Sequence, residues 1–327
     1  MRILSGIQPT GAPHLGNYFG AIQQHIRLQN EPGEKLYFIA DYHALTSLRD
    51  AEQLRRNTRV VAATYLALGL NPDKAVLFRQ SDVPYVHELA FMLECVTSVG
   101  ALMRSHAYKD KVENGLSPNA GLLCYPALMA ADILIYGSDV VPVGQDQVSH
   151  IELCKDMAQS FNAAFNTDVL KLPNYRLSEA AKVPGTDGRK MSKSYGNTIP
   201  IFARGKELKA VIASIVTDSK NPKKEPLDPE SCTALALLRL VDPDPKLPEF
   251  FADCYRGCPE TGFPGYGTTK TYLLNAMNAY FGPAREEFDR LMRPGSELED
   301  ILKSGGTQAN LFACDVLNKC RQAVGVR

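Results

Sequence analysis

The amino-acid sequence has several absences that narrow its class. It contains no tryptophan, for which the chance absence of a rare residue is a sufficient explanation. It also has no apolar run approaching the roughly 18 residues that a membrane-spanning helix requires. Its first residues lack the basic, apolar and small-residue pattern of a signal peptide. We therefore expect a cytosolic protein with no membrane partner.

An excess of either charge is also missing, since 36 lysines and arginines balance 36 aspartates and glutamates. A net charge of zero neither predicts nor excludes a nucleic-acid partner, because binding needs only a local basic face. The eight cysteines show no short, regular pairing, which favours reduced thiols. Cys232, Cys254 and Cys258 fall in one segment, but an iron–sulfur cluster usually needs four thiolates. We therefore predict no metal site.

Apolar runs bounded by turn residues alternate with helix-like segments in the first part of the chain. The runs at 3–7, 35–40 and 75–79 are typical of buried strands, and the stretches at 16–29 and 51–69 have helical spacing. Such alternation is characteristic of parallel sheets with helices on their faces. The sequence therefore predicts an α/β fold with a Rossmann-like, doubly wound parallel sheet.

The later part of the chain has a different texture. A helix-rich stretch at about 84–136 interrupts the strand–helix alternation and is interpreted as a helical insertion. Beyond about 204, helix-like segments are separated by proline-rich joints, which predicts an α-helical C-terminal domain. We expect domains at 1–203 and 204–327. The last amphipathic segment, 308–324, is a further helix, able to pack back on the first domain.

A glycine-rich loop follows the first predicted strand and leads into a helix. Such a loop allows the backbone to approach a phosphate closely, and a helix N-terminus favours negative charge. His14 and Asn17 are three residues apart, so both side chains can face one ligand at the helix start. The alternative is a tight turn of an ordinary α/β sheet.

A second loop carries the pentapeptide 190–194, KMSKS, inside the polar stretch PGTDGRKMSKSYGN. Lys190 and Lys193 lie among hydroxyl groups, and lysines so placed suit the oxygens of a polyphosphate. Taken alone, such a pentapeptide is more often a solvated basic loop.

Together the two loops resemble the HIGH and KMSKS signatures of class I aminoacyl-tRNA synthetases. The segments GIQPTGAPHLGNY at 6–18 and YPALMAADILIYGSDVVPVGQDQ at 125–147 narrow the resemblance to the bacterial tryptophanyl-tRNA synthetases. The resemblance covers nearly the whole chain and is most specific over 1–200. It implies activation of L-tryptophan by ATP with Mg²⁺, transfer to tRNA(Trp), and a cytoplasmic homodimer.

Residue spacing gives an independent reason to expect an indole pocket. Tyr125, Met129 and Asp132 are offset by four and three residues, which places them on one helical face. An aromatic ring and a thioether offer flat apolar contact, and a carboxylate offers an acceptor for the indole N–H. One acid in an otherwise apolar helix needs a partner. The alternative is that Tyr125 and Met129 belong to the core and Asp132 is paired elsewhere.

The resemblance also implies roles for individual residues. The catalytic set consists of His14, Asn17, Lys190 and Lys193. The implied ATP contacts come from both loops and from strand ends, and are Gln8, Pro9, Thr10, Gly16, Asn17, Gly144, Gln145, Asp146, Val183, Lys190, Met191, Ser192, Lys193 and Ser194. The implied tryptophan pocket contains Leu4, His43, Tyr125, Met129, Asp132, Val141, Val143 and Gln147. The helical domain would meet the tRNA anticodon, with a generic helical bundle as the alternative.

Two other functions compete with tryptophan activation. Tyrosyl-tRNA synthetases share the architecture and both signatures, although the segments at 6–18 and 125–147 separate the two families. A non-catalytic paralogue would bind tRNA or tryptophan as a regulator. A pure binding module has no need of two phosphate loops, so the sequence favours an enzyme.

Overall fold

A computed structural model describes residues 1–115, 117–177, 183–220, 226–257 and 265–326. It contains one five-stranded sheet in the order β3-β2-β1-β4-β5, with every neighbouring pair parallel. The strands are β1 (Arg2–Ile7), β2 (Glu34–Ile39), β3 (Val76–Arg79), β4 (Val140–Val143) and β5 (Asn174–Leu177). The order reverses beside β1, as in doubly wound sheets. The predicted fold class is confirmed.

Fourteen α-helices occur in the described ranges. They are α1 (Leu15–Asn17), α2 (Gln23–Leu28), α3 (Asp41–Ala44), α4 (Ala51–Ala67), α5 (Tyr85–Cys95), α6 (Val99–Met103), α7 (His106–Glu113), α8 (Ala120–Leu134), α9 (Val148–Ala164), α10 (Gly205–Ala213), α11 (Thr233–Val241), α12 (Lys246–Gly257), α13 (Tyr266–Met292) and α14 (Leu298–Val324). None of these helices combines the length and the apolar content needed to cross a bilayer.

The chain forms two compact units that do not follow the chain order. The first unit comprises residues 1–11, 25–178 and 291–327, and it contains the sheet. The second unit comprises 12–24 and 179–290, so the glycine-rich loop's helix start belongs with the later helices.

The core of the first unit lies on both faces of the sheet, since Ile3 and Leu4, whose side chains point to opposite faces, are both fully buried. Leu4, Leu36 and Phe78 come from three neighbouring strands and join one buried apolar cluster with α5, α8, α9 and α14. A strand covered by helices on both faces carries a continuous apolar run, because neither face meets water. This is the reason that the strands at 3–7 and 35–40 were visible as apolar runs without alternation.

The last helix is longer than its sequence predicts. A helix over 308–324 was expected, whereas α14 begins at Leu298 and passes through Gly305 and Gly306. Two glycines lower helix propensity, which hides the first turns from a sequence reading. A Cβ atom at Gly305 would lie 2.0 Å from the Leu77 carbonyl oxygen, so only glycine allows α14 to pack so closely on β3. The helix lies in the first unit.

The predicted helix at 16–29 is interrupted. Residues Tyr18–Ile22 form a π-helical turn between α1 and α2. Tyr18 in this turn packs edge-on against Phe281 of α13, with 5.3 Å between ring centroids, and its hydroxyl lies 3.0 Å from that of Tyr280. Such π-turns occur often at functional sites, because the extra residue redirects the helix start.

His25 gives the first unit a measurable pH dependence. Its ring stacks on Tyr37 at 5.0 Å, and its Nδ1 atom lies 2.8 Å from the Tyr65 hydroxyl. Burial lowers the pKa of His25 to about 4. In the unfolded chain His25 binds a proton below about pH 6.5, whereas in the folded chain it does so only near pH 4. The free energy of unfolding therefore falls as the pH is lowered between these two values.

We expect the free energy of unfolding to drop by roughly 2–3 kcal/mol between pH 7 and pH 4.5 through His25 alone, since one pKa unit corresponds to about 1.4 kcal/mol. The variant His25→Asn keeps a polar group near the Tyr65 hydroxyl but does not titrate. Urea unfolding at both pH values should show a smaller loss for the variant than for the wild type. Equal losses would mean that His25 is protonated in the folded protein.

Candidate active site

The carboxyl edge of the sheet gathers several of the predicted ligand residues. His43 lies in α3, directly beyond β2, and the 3₁₀ turn Gln80–Asp82 follows the neighbouring strand β3. Gly144 follows β4 in the same way. This edge is where open α/β sheets bind their ligands, because the loops from neighbouring strands meet there.

Asp132 is the buried acid of this edge. It lies on α8 with 1% of its surface exposed. His43 Nε2 donates to Asp132 Oδ2 at 2.9 Å, and Gln80 Nε2 lies within 3.0 Å of Oδ1 and 2.8 Å of Oδ2. Burial raises the pKa of Asp132, and the hydrogen bonds from His43 and Gln80 partly oppose that rise. A carboxylate has about four lone-pair sites, so an indole N–H remains an acceptable further donor.

The apolar members of the predicted tryptophan pocket lie together. Leu4, Val141 and Val143 belong to the buried cluster of the first unit, and Met129 packs against that cluster from α8. The strands β1 and β4 are neighbours, which brings Leu4 and Val141 to adjacent positions of the sheet.

Tyr125 and His43 form the aromatic part of this region. Their rings meet edge to face, with 6.2 Å between centroids, and the Tyr125 hydroxyl lies 2.6 Å from His150 Nε2. Both residues border a cavity of about 470 Å³, which Arg49 and Asn119 also line. The cavity is large enough for an amino-acid ligand.

Two strand ends of the first unit carry the predicted ATP contacts. Gln8, Pro9 and Thr10 follow β1, where the Thr10 N–H donates to the Gln8 carbonyl at 2.9 Å. Asn57 of α4 fixes this turn, since its Nδ2 donates to the Pro9 carbonyl at 3.1 Å. After β4, residues Gln145–Gln147 form a 3₁₀ turn. The side chain of Asp146 in this turn lies outside the described part of the structure.

In the second unit, the helix start at 14–17 packs directly on the lysine loop. The Leu15 N–H donates to the Ile199 carbonyl at 3.0 Å, and the Gly16 N–H donates to Met191 Sδ at 3.3 Å. A Cβ atom at Gly16 would lie 3.0 Å from the His14 ring and 3.4 Å from Met191. A larger residue at position 16 would crowd the His14 ring, and the two signatures 175 residues apart form one site.

The electrostatics of this site suit a phosphate group. His14 is 6% exposed, and its Nδ1 atom is buried with no hydrogen-bond partner among the residues described. Burial, followed by the charge of Lys193, lowers the pKa of His14 to about 4, so the ring is neutral at pH 7. Asn17 Oδ1 accepts a hydrogen bond from the His14 N–H at 3.0 Å. A neutral ring with an unused polar atom beside a lysine can meet phosphate oxygens without repelling the cation.

The lysine loop is held by a residue that the sequence reading missed. Asn197 is 2% exposed; it accepts a hydrogen bond from the Ser192 N–H at 2.8 Å and donates to Asp187 Oδ1 at 2.7 Å and to the Lys190 carbonyl at 3.2 Å. The Met191 N–H donates to the Val183 carbonyl at 3.0 Å, which closes a hairpin. Lys193 and Ser194 stay exposed at its tip. The asparagine at the end of KMSKSYGN was the available signal.

Gln80 is the other residue that was missed. It is fully buried, and its donors reach Asp132 from a position 52 residues away in the chain. No local spacing connects the two residues. The only available signal was a glutamine directly after a predicted strand, next to the strand that precedes His43.

No metal-binding group of three or more His, Cys, Asp or Glu residues occurs within the described ranges. Cys232 and Cys254 are buried and are not in disulfides, and Cys258 lies outside those ranges.

A parallel sheet with ligand groups at its carboxyl edge, and a helix start in contact with a KMSKS loop, define the class I aminoacyl-tRNA synthetases. A family model described as "tRNA synthetases class I (W and Y)" matches residues 1–278, and the chain belongs to this family.

Named relatives support the same assignment over the full length. The tryptophan–tRNA ligase of Fusobacterium nucleatum is 47% identical over 99% of this chain and 98% of its own length. The tryptophan–tRNA ligase of Rhodopirellula baltica is 49% identical over the whole of both chains. A crystal structure of the Campylobacter jejuni tryptophanyl-tRNA synthetase with ADP and tryptophan has a TM-score of 0.91 and 44% identity, covering 99% of this chain and 100% of the other.

Proposed function

We propose that the protein activates L-tryptophan with ATP to tryptophanyl-adenylate and pyrophosphate, and then transfers tryptophan to the 3′ end of tRNA(Trp). This is the reaction of a tryptophan–tRNA ligase, the name carried by relatives up to 49% identical. The observation that carries the proposal is the contact between the His14–Asn17 helix start and the KMSKS loop, because a non-catalytic binding protein does not need two joined phosphate loops.

Activation joins the tryptophan carboxylate to the α-phosphate of ATP, and pyrophosphate leaves. No protein nucleophile is needed, so catalysis consists of holding the groups in line and neutralising the charge that develops. His14 and Asn17 contact phosphate oxygens, and Lys190 and Lys193 meet the leaving pyrophosphate. His14 is neutral at pH 7, and a neutral imidazole keeps one N–H that can donate a hydrogen bond to a phosphate oxygen.

The remaining contacts follow from the strand ends. Gln8, Pro9, Thr10 and Gly16 shape the phosphate loop, Gly144, Gln145 and Asp146 bind the ribose and adenine side, and Val183 packs near the base. The tryptophan ring lies among Leu4, Tyr125, Met129, Val141 and Val143, with His43 and Gln147 completing the pocket. Asp132 accepts the indole N–H.

Mg²⁺ accompanies ATP in this proposal. When bound with ATP beside Lys190 and Lys193, the ion would neutralise negative charge on the phosphate oxygens. The substrates and tRNA meet in the cytoplasm, where we place the protein, and the helices at 204–290 meet the anticodon.

The test is amino-acid-dependent exchange of pyrophosphate into ATP by the purified protein. Tryptophan should support exchange, and tyrosine should not. Exchange with tyrosine instead would identify a tyrosine enzyme, and no exchange with either amino acid would leave a binding protein. Because the chain contains no tryptophan, the fluorescence of added tryptophan reports its binding without tryptophan emission from the protein itself.

We further propose a homodimer through the helical stretch at 84–136. Phe91, Val99 and Val112 expose 67%, 57% and 52% of their surfaces there, and large apolar side chains so exposed mark contact surfaces. Sedimentation at micromolar concentration should give about twice the chain mass of 35.9 kDa. A monomer under those conditions would contradict the proposal.

A further inference from the structure

Contacts at both polar atoms of the Gln80 side chain fix the orientation of its amide. It has no exposed surface, and its Nε2 atom faces both oxygens of Asp132 at 3.0 and 2.8 Å. Its Oε1 atom accepts the Tyr42 N–H at 3.1 Å. The backbone donor fixes the amide in one orientation, because a flipped amide would place two acceptors face to face and two donors face to face.

The segments that carry Gln80 and His43 are also clamped to each other. The Ser81 N–H donates to Asp41 Oδ1 at 3.0 Å, and the Ser81 hydroxyl donates to Asp41 Oδ2 at 2.5 Å. Together with the contact between Gln80 and the Tyr42 N–H, three hydrogen bonds tie the turn after β3 to the helix after β2. Both donors of Asp132 therefore come from one rigid unit at the ends of two paired strands.

The two carboxylate oxygens are not equivalent in this arrangement. Oδ2 receives Nε2 of His43 and the shorter contact from Gln80, whereas Oδ1 receives, among the described residues, only the longer contact from Gln80. Oδ1 therefore keeps more acceptor capacity for a ligand donor.

We propose that Gln80 is the positioning residue that holds the Asp132 carboxylate so that Oδ1 accepts the indole N–H, an inference that rests on the function proposed above. Gln80 does not touch the reacting atoms. It acts by fixing the orientation of the acceptor and by solvating it in place of water. A carboxylate held before the ligand arrives loses no orientational freedom on binding.

The charge state of Asp132 provides a specific signature of this role. Burial raises the pKa of Asp132, and hydrogen bonds from His43 and Gln80 and the charge of His87 lower it. Tyr136, two residues beyond the end of α8, is also buried and interacts electrostatically with Asp132. Removal of the Gln80 donors must raise the pKa of Asp132 further, because one stabiliser of the ionised form is lost. Activity that needs the ionised acid then begins to fall at a higher pH.

The principal variant is Gln80→Met, which keeps the length of the side chain and removes both polar atoms. Gln29→Met is the matched control, because Gln29 is also buried, donates to the Gly69 carbonyl at 3.0 Å and accepts the Asn71 N–H at 2.7 Å. Exchange is measured from pH 5 to 8 with tryptophan and with its isostere that carries sulfur in place of the ring N–H.

For Gln80→Met we expect kcat/KM with tryptophan to fall about 10-fold or more, the usual size for loss of a hydrogen bond to a charged group. The sulfur isostere should change less than about threefold, because it never used the acceptor. The acid limb of the tryptophan profile should move to higher pH. Gln29→Met should reproduce none of these three effects. Equal losses of kcat/KM with tryptophan and its sulfur isostere, together with an unchanged acid limb, would show that the role of Gln80 is only structural.

A second variant, Gln80→Glu, tests the same role if Gln80→Met does not fold. Two carboxyl groups at this distance share one proton, and the protonated one can donate to the other. Tryptophan activation should therefore recover in Gln80→Glu as the pH falls, opposite to Gln80→Met. The same pH dependence in both variants would overturn the inference. Absence of tryptophan-dependent exchange in the wild type would instead overturn the proposed function, and with it this role.

Discussion

Lys193→Ala should slow the formation of tryptophanyl-adenylate by about 10²–10³-fold, the typical cost of removing one preorganised electrostatic group. Tryptophan binding should change little. The lysine interacts most strongly where negative charge builds on the leaving pyrophosphate, so its loss should appear mainly in kcat. Single-turnover adenylate formation measures the first quantity, and the fluorescence of bound tryptophan measures the second.

The structure gives a reason for the size of this effect. Lys193 sits at the exposed tip of a loop whose base is fixed by Asn197, and desolvation lowers its pKa. Its positive charge also contributes to the low pKa of His14, so the two groups act on the same region. A cation held by a fixed loop base needs little reorganisation during the reaction.

Lys209→Ala is the matched control for Lys193→Ala. Lys209 is an exposed lysine on α10 of the same unit, and it belongs to neither 14–17 nor 190–194. This variant should keep wild-type rates, which excludes a general effect of net charge. Lys193→Arg separates charge from geometry and should retain part of the rate. An activity of Lys193→Ala within a factor of three of the wild type would show that the loop is not catalytic.

The strands β1, β2 and β3 could be predicted from the sequence because buried apolar residues form the middle of each. Leu36 and Phe78 lie in uninterrupted apolar runs, which local composition reveals. The strand β5 was not predicted, since Asn174–Leu177 is an edge strand with mostly exposed residues. The order of the strands and the start of α14 depend on long-range packing. Gly305 lowers the local helix propensity although it lies inside α14.

The residues of the candidate site likewise include some that the sequence predicts and some that it does not. His14, Lys193 and Asp132 were accessible from the sequence because each sits in a short motif or at helical spacing. Gln80 and Asn197 were not, because they act by hydrogen bonds to distant or backbone atoms that leave no periodic pattern. The alternative of an Asp132 paired elsewhere is partly correct, since His43 and Gln80 both donate to it. The proposed ligand acceptor therefore has protein partners of its own.

Asp132→Ala should reduce kcat/KM for tryptophan by about 10- to 150-fold, which corresponds to a lost hydrogen bond to a charged acceptor of roughly 1.5–3 kcal/mol. The change removes the proposed acceptor of the indole N–H and leaves His43 Nε2 and Gln80 Nε2 without their shared buried partner. ATP binding should be retained, because its contacts are other residues. Discrimination against phenylalanine should shrink, since that amino acid has no ring N–H to donate.

Pyrophosphate exchange with tryptophan and with phenylalanine, on wild type and variant, gives both quantities. Leu134→Ala is the control, because Leu134 is buried two positions further along α8 and reports the cost of a cavity in that helix. It should lower stability but keep the preference for tryptophan. If Asp132→Ala keeps the wild-type ratio of kcat/KM for tryptophan over phenylalanine, Asp132 does not read the indole. Its hydrogen bonds with His43 and Gln80 would then serve only to join α8 to the ends of β2 and β3.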